Sequence, residues 1–346
     1  MIKIALDALG GDFGVNSTVP GAMMAISKMK DIEIVLYGDE DKIKPLLTNN
    51  ERISIVDTKE CFDMGEHNPV MAIRKNRNYS LCKAMQAVVD GNVDGVVTTG
   101  PTQCVIVASH MIIRKMPEVS RICLCPIIPN FDGKARFLLD VGANVELRPE
   151  HLNDLAIMAT IVAKEVFGYE SPSVGLLNIG SEYGKGREQD VLTYDLLKAN
   201  SLINFYGNIE PTEALDSPCD IMITDGFTGN MVMKSIEGTA KTMSKMLKRE
   251  IKSSLGGKIG YLFMHKNLDR FKKSMDSSEL GGAMILGINA PVIKGHGNSN
   301  PVAVYNAIRQ CRTMIEKDVV GKVKKSLKEI ENNETAKANE WFRCQI

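Results

Sequence analysis

Short apolar segments alternate with amphipathic ones along most of this chain, and no other feature of the sequence constrains the fold as strongly. Residues 2–6, 32–37 and 174–178 are predicted strands, whereas residues 152–167 have apolar positions at the three- and four-residue spacing of a helix face. Strands that alternate with helices and are apolar along their length are typical of a largely parallel sheet covered on both faces. The sequence therefore predicts a three-layer α/β/α fold with a largely parallel sheet.

The size and charge of the chain limit the classes of protein to which it can belong. It has 346 residues, with 42 basic and 42 acidic side chains. This balance argues against a nucleic-acid-binding protein, which usually carries a strongly basic face. We predict a single α/β catalytic unit over residues 1–322, followed by a charged C-terminal helix or tail over residues 323–346.

The cysteines, the histidines and the N-terminus indicate a cytoplasmic protein without a metal site, and we expect no cofactor. Eight cysteines are scattered without a C-x-x-C pair, and no H-E-x-x-H occurs among the five histidines. The first residues form a predicted strand and not a signal peptide, and no apolar run approaches the length of a membrane span. We expect reduced thiols in a cytoplasmic protein, and peripheral membrane contact remains open.

Residues 219–238 join a predicted strand to a long amphipathic helix through the turn 225–230. A strand, a glycine turn and a helix in this order point free backbone N–H groups and the positive end of a helix dipole at a bound anion. Asp225 ends the strand, where open α/β sheets place their ligands. The same residues also fit an ordinary tight connection in which Asn230 caps the helix.

Six predicted strand ends combine glycine with Asp, Asn, Thr or Lys. They are residues 7–12, 99–103, 140–144, 180–186, 225–230 and 295–299. At the carboxyl edge of one sheet, such loops would form a cleft that holds an anion by backbone amides and a lysine. Lys185, between Gly184 and Gly186, is the candidate for that lysine, and a solvated loop lysine is the alternative.

Several common active-site motifs are absent. The sequence contains no G-x-x-x-x-G-K-[ST] loop, no G-x-G-x-x-G after the first strand and no G-x-S-x-G. His67 and His296 lie in loops and are candidate catalytic groups, although ordinary hydrogen-bonding loop histidines fit the same positions. Cys104 is a nucleophile only if its pKa is lowered, and a buried structural cysteine is the alternative.

Five motifs, taken together, resemble those of the bacterial acyl-ACP:phosphate acyltransferases of phospholipid synthesis. The motifs are Asp7-Ala-Leu-Gly-Gly-Asp12, Asp140-Val-Gly-Ala-Asn-Val145 with Pro149-Glu150, Gly175-Leu-Leu-Asn-Ile-Gly180, Asp225-Gly-Phe-Thr-Gly-Asn230, and Gly281-Gly282 through Val292-Ile-Lys-Gly-His-Gly297. The resemblance covers roughly residues 1 to 320 and rests on the combination, because each motif alone is a weak signal.

The resemblance implies a fold similar to isopropylmalate dehydrogenase and phosphotransacetylase, and a homodimer. It also implies a reaction in which an acyl group passes from acyl-carrier protein to inorganic phosphate. The acyl-phosphate product would serve a membrane glycerol-3-phosphate acyltransferase. No metal or cofactor is implied.

The resemblance and the strand-end loops together define a candidate site. Lys185 and Asn230 match the lysine and asparagine regarded as essential in the family. The candidate substrate-binding residues are Asp7, Gly10, Gly11, Asp12, Gly100, Thr102, Asn144, Gly180, Asp225, Gly226, Thr228, Gly229 and His296. Alternative functions are a phosphotransacylase that uses acyl-CoA, a dehydrogenase of the same fold, and a non-catalytic acyl- or carrier-binding protein.

One loop departs from the family pattern. Thr99-Gly100-Pro101-Thr102-Gln103 stands where relatives usually show Ala-Gly-Asn-Thr-Gly. Gln103 cannot replace a glycine of positive φ without strain, so altered geometry is expected at this loop.

Residues 234–275 form the one strongly basic part of the chain. Apolar residues at helical spacing, including Leu255, Ile259, Leu262 and Phe263, accompany its lysines and arginines. The pattern predicts a basic helical hairpin over about residues 231–276, broken at Gly256-Gly257. Such a hairpin suits an anionic membrane or an acidic carrier protein. A dimer interface with solvated lysines is the alternative.

Overall fold

The computed structural model describes residues 1–48, 51–130, 132, 134–274 and 281–329, and it confirms a mixed α/β fold with mostly parallel strands. The strands are β1 Ile2–Asp7, β2 Ile32–Gly38, β3 Ile53–Asp57, β4 Gly95–Thr98, β5 Cys123–Cys125, β6 Ile127–Pro129, β7 Ala135–Leu139, β8 Ser173–Leu177, β9 Asn204–Ile209, β10 Ile221–Ile223, β11 Ala283–Leu286 and β12 Val292–Lys294. The helices are α1 Val15–Lys28, α2 Glu40–Ile43, α3 Pro69–Lys75, α4 Ser80–Val89, α5 Thr102–Ala108, α6 Pro149–Phe167, α7 Glu188–Ala199, α8 Gly226–Ser253, α9 Leu255–Ser274 and α10 Pro301–Glu316, and residues 319–329 are also helical.

The strands form two sheets and not the single sheet that the sequence predicts. The first has seven strands in the order β3-β2-β1-β4-β12-β11-β5, of which β11 runs antiparallel to both of its neighbours. The second has five strands in the order β6-β7-β10-β8-β9, of which β6 runs antiparallel to β7. The remaining pairs of both sheets are parallel.

The chain passes from the first sheet to the second at Pro126. The sequence predicts one strand over residues 122–127, but β5 ends at Cys125 in the first sheet and β6 begins at Ile127 in the second. Proline has no N–H to donate to a strand ladder, so it is a natural point for pairing to end. One short apolar segment therefore supplies an edge strand to each sheet.

A continuous apolar core lies between the two sheets. It includes buried residues of β1 and β2 from the first sheet and of β7, β8 and β10 from the second. Helices α1, α6 and α10 fill the space between them, and α10 packs against both α1 and α6. Separate clusters cover the outer face of each sheet. The sheets are thereby held in a fixed relation to each other.

The C-terminal helix crosses the predicted boundary at residue 322. Val319, Val323 and Leu327 are buried in the core between the sheets. Residues 330–346 of the predicted tail lie outside the described part of the chain. The division of the chain into a catalytic unit and a tail stays a prediction.

The predicted basic hairpin corresponds to α8 and α9, which pack against each other. The helices meet at Ser254, so the prediction of a break at Gly256-Gly257 is wrong. Both glycines lie inside α9, where the Ser254 hydroxyl accepts a hydrogen bond from the Gly257 N–H at 2.9 Å. Residues 275 and 276 of the predicted hairpin lie outside the described residues. None of the helices that the structure describes is long and apolar enough to cross a membrane.

Candidate active site

All six of the glycine-bearing loops follow the carboxyl ends of parallel strands. Three of them extend from β1, β4 and β12 in the first sheet, and three extend from β7, β8 and β10 in the second. The prediction that they share the edge of one sheet is therefore wrong, because the strands divide equally between two sheets. Ligands in open α/β sheets bind outside this end of the strands.

The Asp7 carboxylate links the end of β1 to the end of β4 and to the start of α4. Its buried carboxylate accepts hydrogen bonds from the Ser80 hydroxyl at 2.6 Å and the Thr98 hydroxyl at 2.7 Å. Burial raises the pKa of Asp7 above its usual value, and these hydrogen bonds oppose the rise. A Cβ at Gly10 would lie 2.6 Å from the Asp7 carboxylate, so the β1–α1 loop requires glycine there. Asp7 therefore holds the loops together, with its oxygens already used by hydroxyl groups.

The β1–α1 loop is also fastened to the loop that follows β12. The Asp12 N–H donates to the Gly297 carbonyl at 2.7 Å, and the Thr99 hydroxyl donates to the Gly10 carbonyl at 2.8 Å. Gly11 has a φ of 82°, which favours glycine. His296 is partly exposed in the same β12 loop, whereas His67 is exposed on the loop before α3. Three loops of the first sheet thus form one hydrogen-bonded surface.

The unusual loop after β4 is not strained at Gln103. Helix α5 begins at Thr102, so Gln103 has helical backbone geometry and not a positive φ, and the expected strain at this position is absent. The Gly100 N–H donates to the Thr98 hydroxyl at 3.0 Å. Cys104 is buried, and burial raises its pKa to about 12. The alternative of a structural cysteine therefore fits better than a nucleophile.

Asp140 organises the first loop of the second sheet, and sequence reasoning did not select it as a site residue. Its buried carboxylate accepts hydrogen bonds from the N–H of Leu124 at 2.9 Å, the N–H of Asn144 at 2.7 Å and the Asn144 side-chain amide at 2.9 Å. The Asn144 amide also donates to the Ile122 carbonyl at 2.7 Å. Burial raises the pKa of Asp140. Asn144 therefore ties the second-sheet loop to the segment that leads into β5.

Asp225, and not Asn230, caps helix α8. The Asp225 carboxylate accepts the Thr228 N–H at 2.7 Å, whereas Asn230 is the fifth residue of the helix. The prediction that Asn230 is the cap is therefore wrong. A Cβ at Gly226 would lie 2.8 Å from the Asp140 carboxylate, and one at Gly229 would collide with the Asp140 carbonyl. These two glycines let α8 begin directly against the Asp140 loop.

The first N–H groups of α8 are largely used within the protein. The N–H of Phe227 donates to the Val145 carbonyl at 3.4 Å, and the N–H of Gly229 donates to the Asp225 carbonyl at 2.9 Å. With the Thr228 N–H bonded to Asp225, little donor capacity remains in the turn itself. An anion at this helix end would depend on side chains and on the helix dipole more than on these amides.

Arg187 connects the loop after β8 to the start of α8, and sequence reasoning missed it. Its guanidinium donates to Asp190 at 2.9 Å and to the Asp225 carboxylate at 2.7 Å. Although burial acts to raise the pKa of Asp225, hydrogen bonds from Thr228 and Arg187 hold it below its usual value. The position directly after the glycine loop 180–186 was the available signal. Arg187 keeps Asp225 ionised and aligned.

Lys185 lies in this loop with its ammonium group accessible. Its side chain is 51% exposed, and the Glu182 carboxylate lies 3.9 Å away. The backbone is well fixed, because the Asn178 amide donates to the Lys185 carbonyl at 3.0 Å and Gly186 has a φ of 91°. Gly180 leaves room for the stem of Lys185, since a Cβ there would lie 3.1 Å from the Lys185 Cγ. The geometry combines an anchored loop with a cation available to a ligand.

Asn230 is exposed beside the Asp140 loop. A Cβ on Gly142 would lie 3.6 Å from the Asn230 side-chain amide, so glycine leaves space around it. Among the residues that the structure describes, the Asn230 side chain has no hydrogen-bond partner. It can therefore donate to a ligand that enters between α8 and this loop.

Lys294 is a second functional candidate that sequence reasoning missed. It ends β12 and is partly buried, and burial lowers its pKa to about 8. Lys234 and Glu237 of α8 and Asp12 of the β1–α1 loop also act on its charge. Lys294 is therefore a titratable group at the carboxyl edge of the first sheet.

Among the residues that the structure describes, no group of three or more His, Cys, Asp and Glu side chains is placed to hold a metal ion.

Residues 2–322 match the family model described as fatty acid synthesis protein. The phosphate acyltransferase of Acholeplasma laidlawii is 47% identical over 330 residues, which are 95% of this chain and 99% of that protein. The phosphate acyltransferase of Bacillus pumilus is 43% identical over 96% of this chain and 100% of that protein. The one from Streptococcus pneumoniae is 44% identical over 92% of this chain and 97% of that protein.

Solved structures confirm the predicted likeness to phosphotransacetylases at the level of the fold. The EutD phosphotransacetylase from Staphylococcus aureus aligns with a TM-score of 0.58 and 16% identity, over 91% of this chain and 94% of that chain. A branched-chain phosphotransacylase from Enterococcus faecalis aligns with a TM-score of 0.58 and 13% identity, over 91% of this chain and 99% of that chain.

Proposed function

This chain belongs to the fatty acid synthesis protein family and is an enzyme that transfers an acyl group to phosphate, and we propose that its acyl donor is acyl-carrier protein. The product would be an acyl-phosphate that a membrane glycerol-3-phosphate acyltransferase consumes in phospholipid synthesis. Two observations carry the proposed site: Lys185 is accessible on an anchored loop, and Asn230 near the start of α8 has no partner among the described residues. The Arg187–Asp225 contact joins the two elements that hold them.

The proposed reaction is direct attack by phosphate. One phosphate oxygen forms a bond to the thioester carbonyl carbon, and the carbon–sulfur bond then breaks. The phosphate loses its proton, and the departing thiolate takes up a proton to become the thiol of the carrier. Since phosphate is a competent nucleophile and a thiolate leaves easily, the protein contributes mainly positioning and charge compensation.

Two side chains take the central roles in this scheme. Lys185 neutralises phosphate, and Asn230 donates a hydrogen bond to phosphate or to the oxyanion that develops on the carbonyl oxygen. Asp225 keeps α8 in place through its cap and its bond to Arg187. The N–H groups of Phe227, Thr228 and Gly229 are engaged elsewhere, so we assign the anion to the side chains.

Helices α8 and α9 are the proposed contact surface for the acidic carrier and for an anionic membrane. Leu262 and Phe263 are 69% and 81% exposed on α9, and Lys258, Lys266 and Arg270 lie on the same helix. Basic groups attract anionic lipid and acidic proteins, and exposed apolar side chains can insert at a lipid surface. We propose a cytoplasmic homodimer that associates peripherally with the membrane. A dimer interface on these helices is the competing role.

The donor is tested by mixing the purified protein with phosphate and either acyl-ACP or acyl-CoA, then trapping acyl-phosphate with hydroxylamine. The proposal expects phosphate-dependent acyl hydroxamate from acyl-ACP, and far less from acyl-CoA. Equal or faster product formation from acyl-CoA would make the protein a phosphotransacylase that uses acyl-CoA. Lys185→Ala serves as the matched inactive protein.

A further inference from the structure

Lys294 occupies a position where α/β proteins bind ligands. It is the last residue of β12, and its neighbours in the sheet are the uncharged Thr98 on β4 and Ala283 on β11. The Gly295 N–H donates to the Thr98 carbonyl at 2.8 Å, which fixes the chain just beyond it. Lys294 therefore stands at the carboxyl edge of the first sheet on rigid backbone.

The charge of Lys294 is not compensated by a partner. The structure shows no hydrogen bond or ion pair from its ammonium to any described residue. Of the charged groups near it, Glu237 is engaged by Lys234, whose ammonium lies 2.8 Å from that carboxylate. Asp12, the other acid, is exposed on the β1–α1 loop. A partly buried lysine without a partner is costly to keep, so a role in binding an anion would explain it.

The loop that follows Lys294 is fastened to the β1–α1 loop. The Asp12 N–H donates to the Gly297 carbonyl at 2.7 Å, and the Thr99 hydroxyl donates to the Gly10 carbonyl at 2.8 Å. The end of β12 therefore adjoins the hydrogen-bonded loops of the first sheet.

We propose that the Lys294 ammonium binds the phosphate substrate at the carboxyl edge of the first sheet, beside the β1–α1 loop. This inference rests on the acyl transfer to phosphate described above. Phosphate bound there brings two negative charges to an unpaired cation, and it lies within reach of the loop surface around Gly10 and Gly297. Lys294 thus acts as a substrate-binding residue beside Lys185 and Asn230.

The role makes phosphate binding depend on pH in a particular direction. Burial lowers the pKa of Lys294 to about 8, with Lys234 acting in the same direction and Glu237 and Asp12 opposing it. In the free enzyme the ammonium is therefore lost as the pH rises above about 8. The KM for phosphate should rise with pH in this range, by up to about tenfold per unit.

The experiment compares wild type with Lys294→Met, Lys294→Arg and the control Lys30→Met, with KM for phosphate and for the acyl thioester measured from pH 7.5 to 9.5. Lys30 is an exposed lysine before β2, at the opposite edge of the sheet. Lys294→Met should raise the KM for phosphate at least about tenfold, the scale of one charge-assisted hydrogen bond, with a smaller effect on kcat. Lys294→Arg should retain affinity and lose the rise above pH 8, because arginine does not titrate there.

A phosphate-induced shift in Tm, measured without any thioester, provides the second readout. Wild type and Lys294→Arg should show the shift, and Lys294→Met should not. This binding assay remains informative even if acyl-ACP proves to be the wrong donor, so failure of the donor proposal and failure of this one are distinguishable. An unchanged KM for phosphate in Lys294→Met, the same pH profile in wild type and Lys294→Arg, or a rise only in the KM for the thioester would overturn the inference.

Discussion

Three cations at the carboxyl ends of strands differ in how far the protein already pairs their charge. Arg187 donates hydrogen bonds to Asp190 and Asp225, so its charge is already paired within the protein. Lys185 is exposed with Glu182 at the limit of an ion pair, and Lys294 has no partner among the described residues. At the scale of single residues, the two lysines are therefore the groups that can respond to an anion.

Lys185→Ala should lower kcat/KM by at least about 100-fold, the scale of removing one preorganised charge-stabilising group. Its Tm should change little, because the side chain is half exposed and makes no close ion pair. Steady-state kinetics and a thermal melt measure the two effects, with Lys164→Ala, an exposed lysine of α6, as the control. A folded Lys185→Ala protein with normal turnover would remove this lysine from the mechanism.

Asn230→Ala should lose activity with almost no loss of stability, because Asp225 and not Asn230 caps α8. Asp225→Ala should instead lower the free energy of unfolding by more than the roughly 1 kcal/mol of a helix cap, since it also removes one of the two carboxylate partners of Arg187. Denaturant unfolding and turnover separate the two variants. A clear drop in the stability of Asn230→Ala would contradict its assignment to the substrate.

Lys294→Met should raise the stability of the phosphate-free protein at pH 7 by about 3 kcal/mol. The pKa of Lys294 is lowered from 10.5 to about 8, so the unfolded chain holds more protons than the native protein between these values. The cost of the buried charge is thus complete below about pH 8 and disappears as the pH approaches 10.5. The gain in the free energy of unfolding of Lys294→Met over wild type should be smaller at pH 10 than at pH 7. A gain that is the same at both pH values would mean that methionine only packs better.

At the scale of elements, α8 is buried near its start and exposed further along its length. Gly226, Gly229 and Met233 are buried near its start, whereas Met243, Met246 and Leu247 are exposed further on. Helix α9 continues the exposed part with Leu262 and Phe263. The first turns thus contribute to the proposed site, and the exposed remainder is the proposed contact surface.

Changing Leu262 and Phe263 to Ser should reduce flotation with anionic vesicles at low salt, because the exposed apolar side chains would no longer insert into lipid. The matched control changes Leu192 and Leu202 to Ser, since these leucines are also exposed but lie on α7 and in the turn after it. Failure of the wild-type protein to float would end the membrane proposal. Reversal of Lys258, Lys266 and Arg270 to Glu without a higher KM for acyl-ACP would end the carrier proposal.

At the scale of the whole molecule, none of the thiols that the structure describes is prepared for nucleophilic attack. Burial raises the pKa values of Cys61, Cys82, Cys104, Cys123, Cys125, Cys219 and Cys311. A thiol becomes a good nucleophile when its pKa falls, not when it rises. The remaining cysteine, Cys344, lies outside the described residues.

The reaction should therefore proceed without an acyl-enzyme. Mass spectrometry of the protein after mixing with acyl-ACP in the absence of phosphate should show no acyl adduct. The trapping of acyl hydroxamate after phosphate is added confirms that the same sample is active. A stoichiometric adduct on Cys104 would require a two-step mechanism.

The sequence by itself determined the alternation of strands and helices and the positions of the six loops, because both depend on local patterns of apolar residues and glycine. The motifs in those loops also carried the family, which the comparisons confirm over residues 2–322. The sequence predicts strands over residues 135–139 and 283–286, and β7 and β11 have these bounds. Strand β9 and helix α7 were not predicted, since their apolar patterns are weaker than those of the buried elements.

Only the tertiary structure decided which strands pair and which side chains meet. The break at Pro126 sends β5 and β6 to different sheets, a division that depends on pairing partners far along the chain. The cap at Asp225 was distinguishable from one at Asn230 only once the start of α8 was known. Arg187 reaches Asp225 across 38 positions, so the sequence pattern around either residue does not predict this contact. The sequence shows where the loops lie along the chain, whereas the contacts between charged side chains of different loops, such as Arg187 with Asp225, depend on tertiary packing.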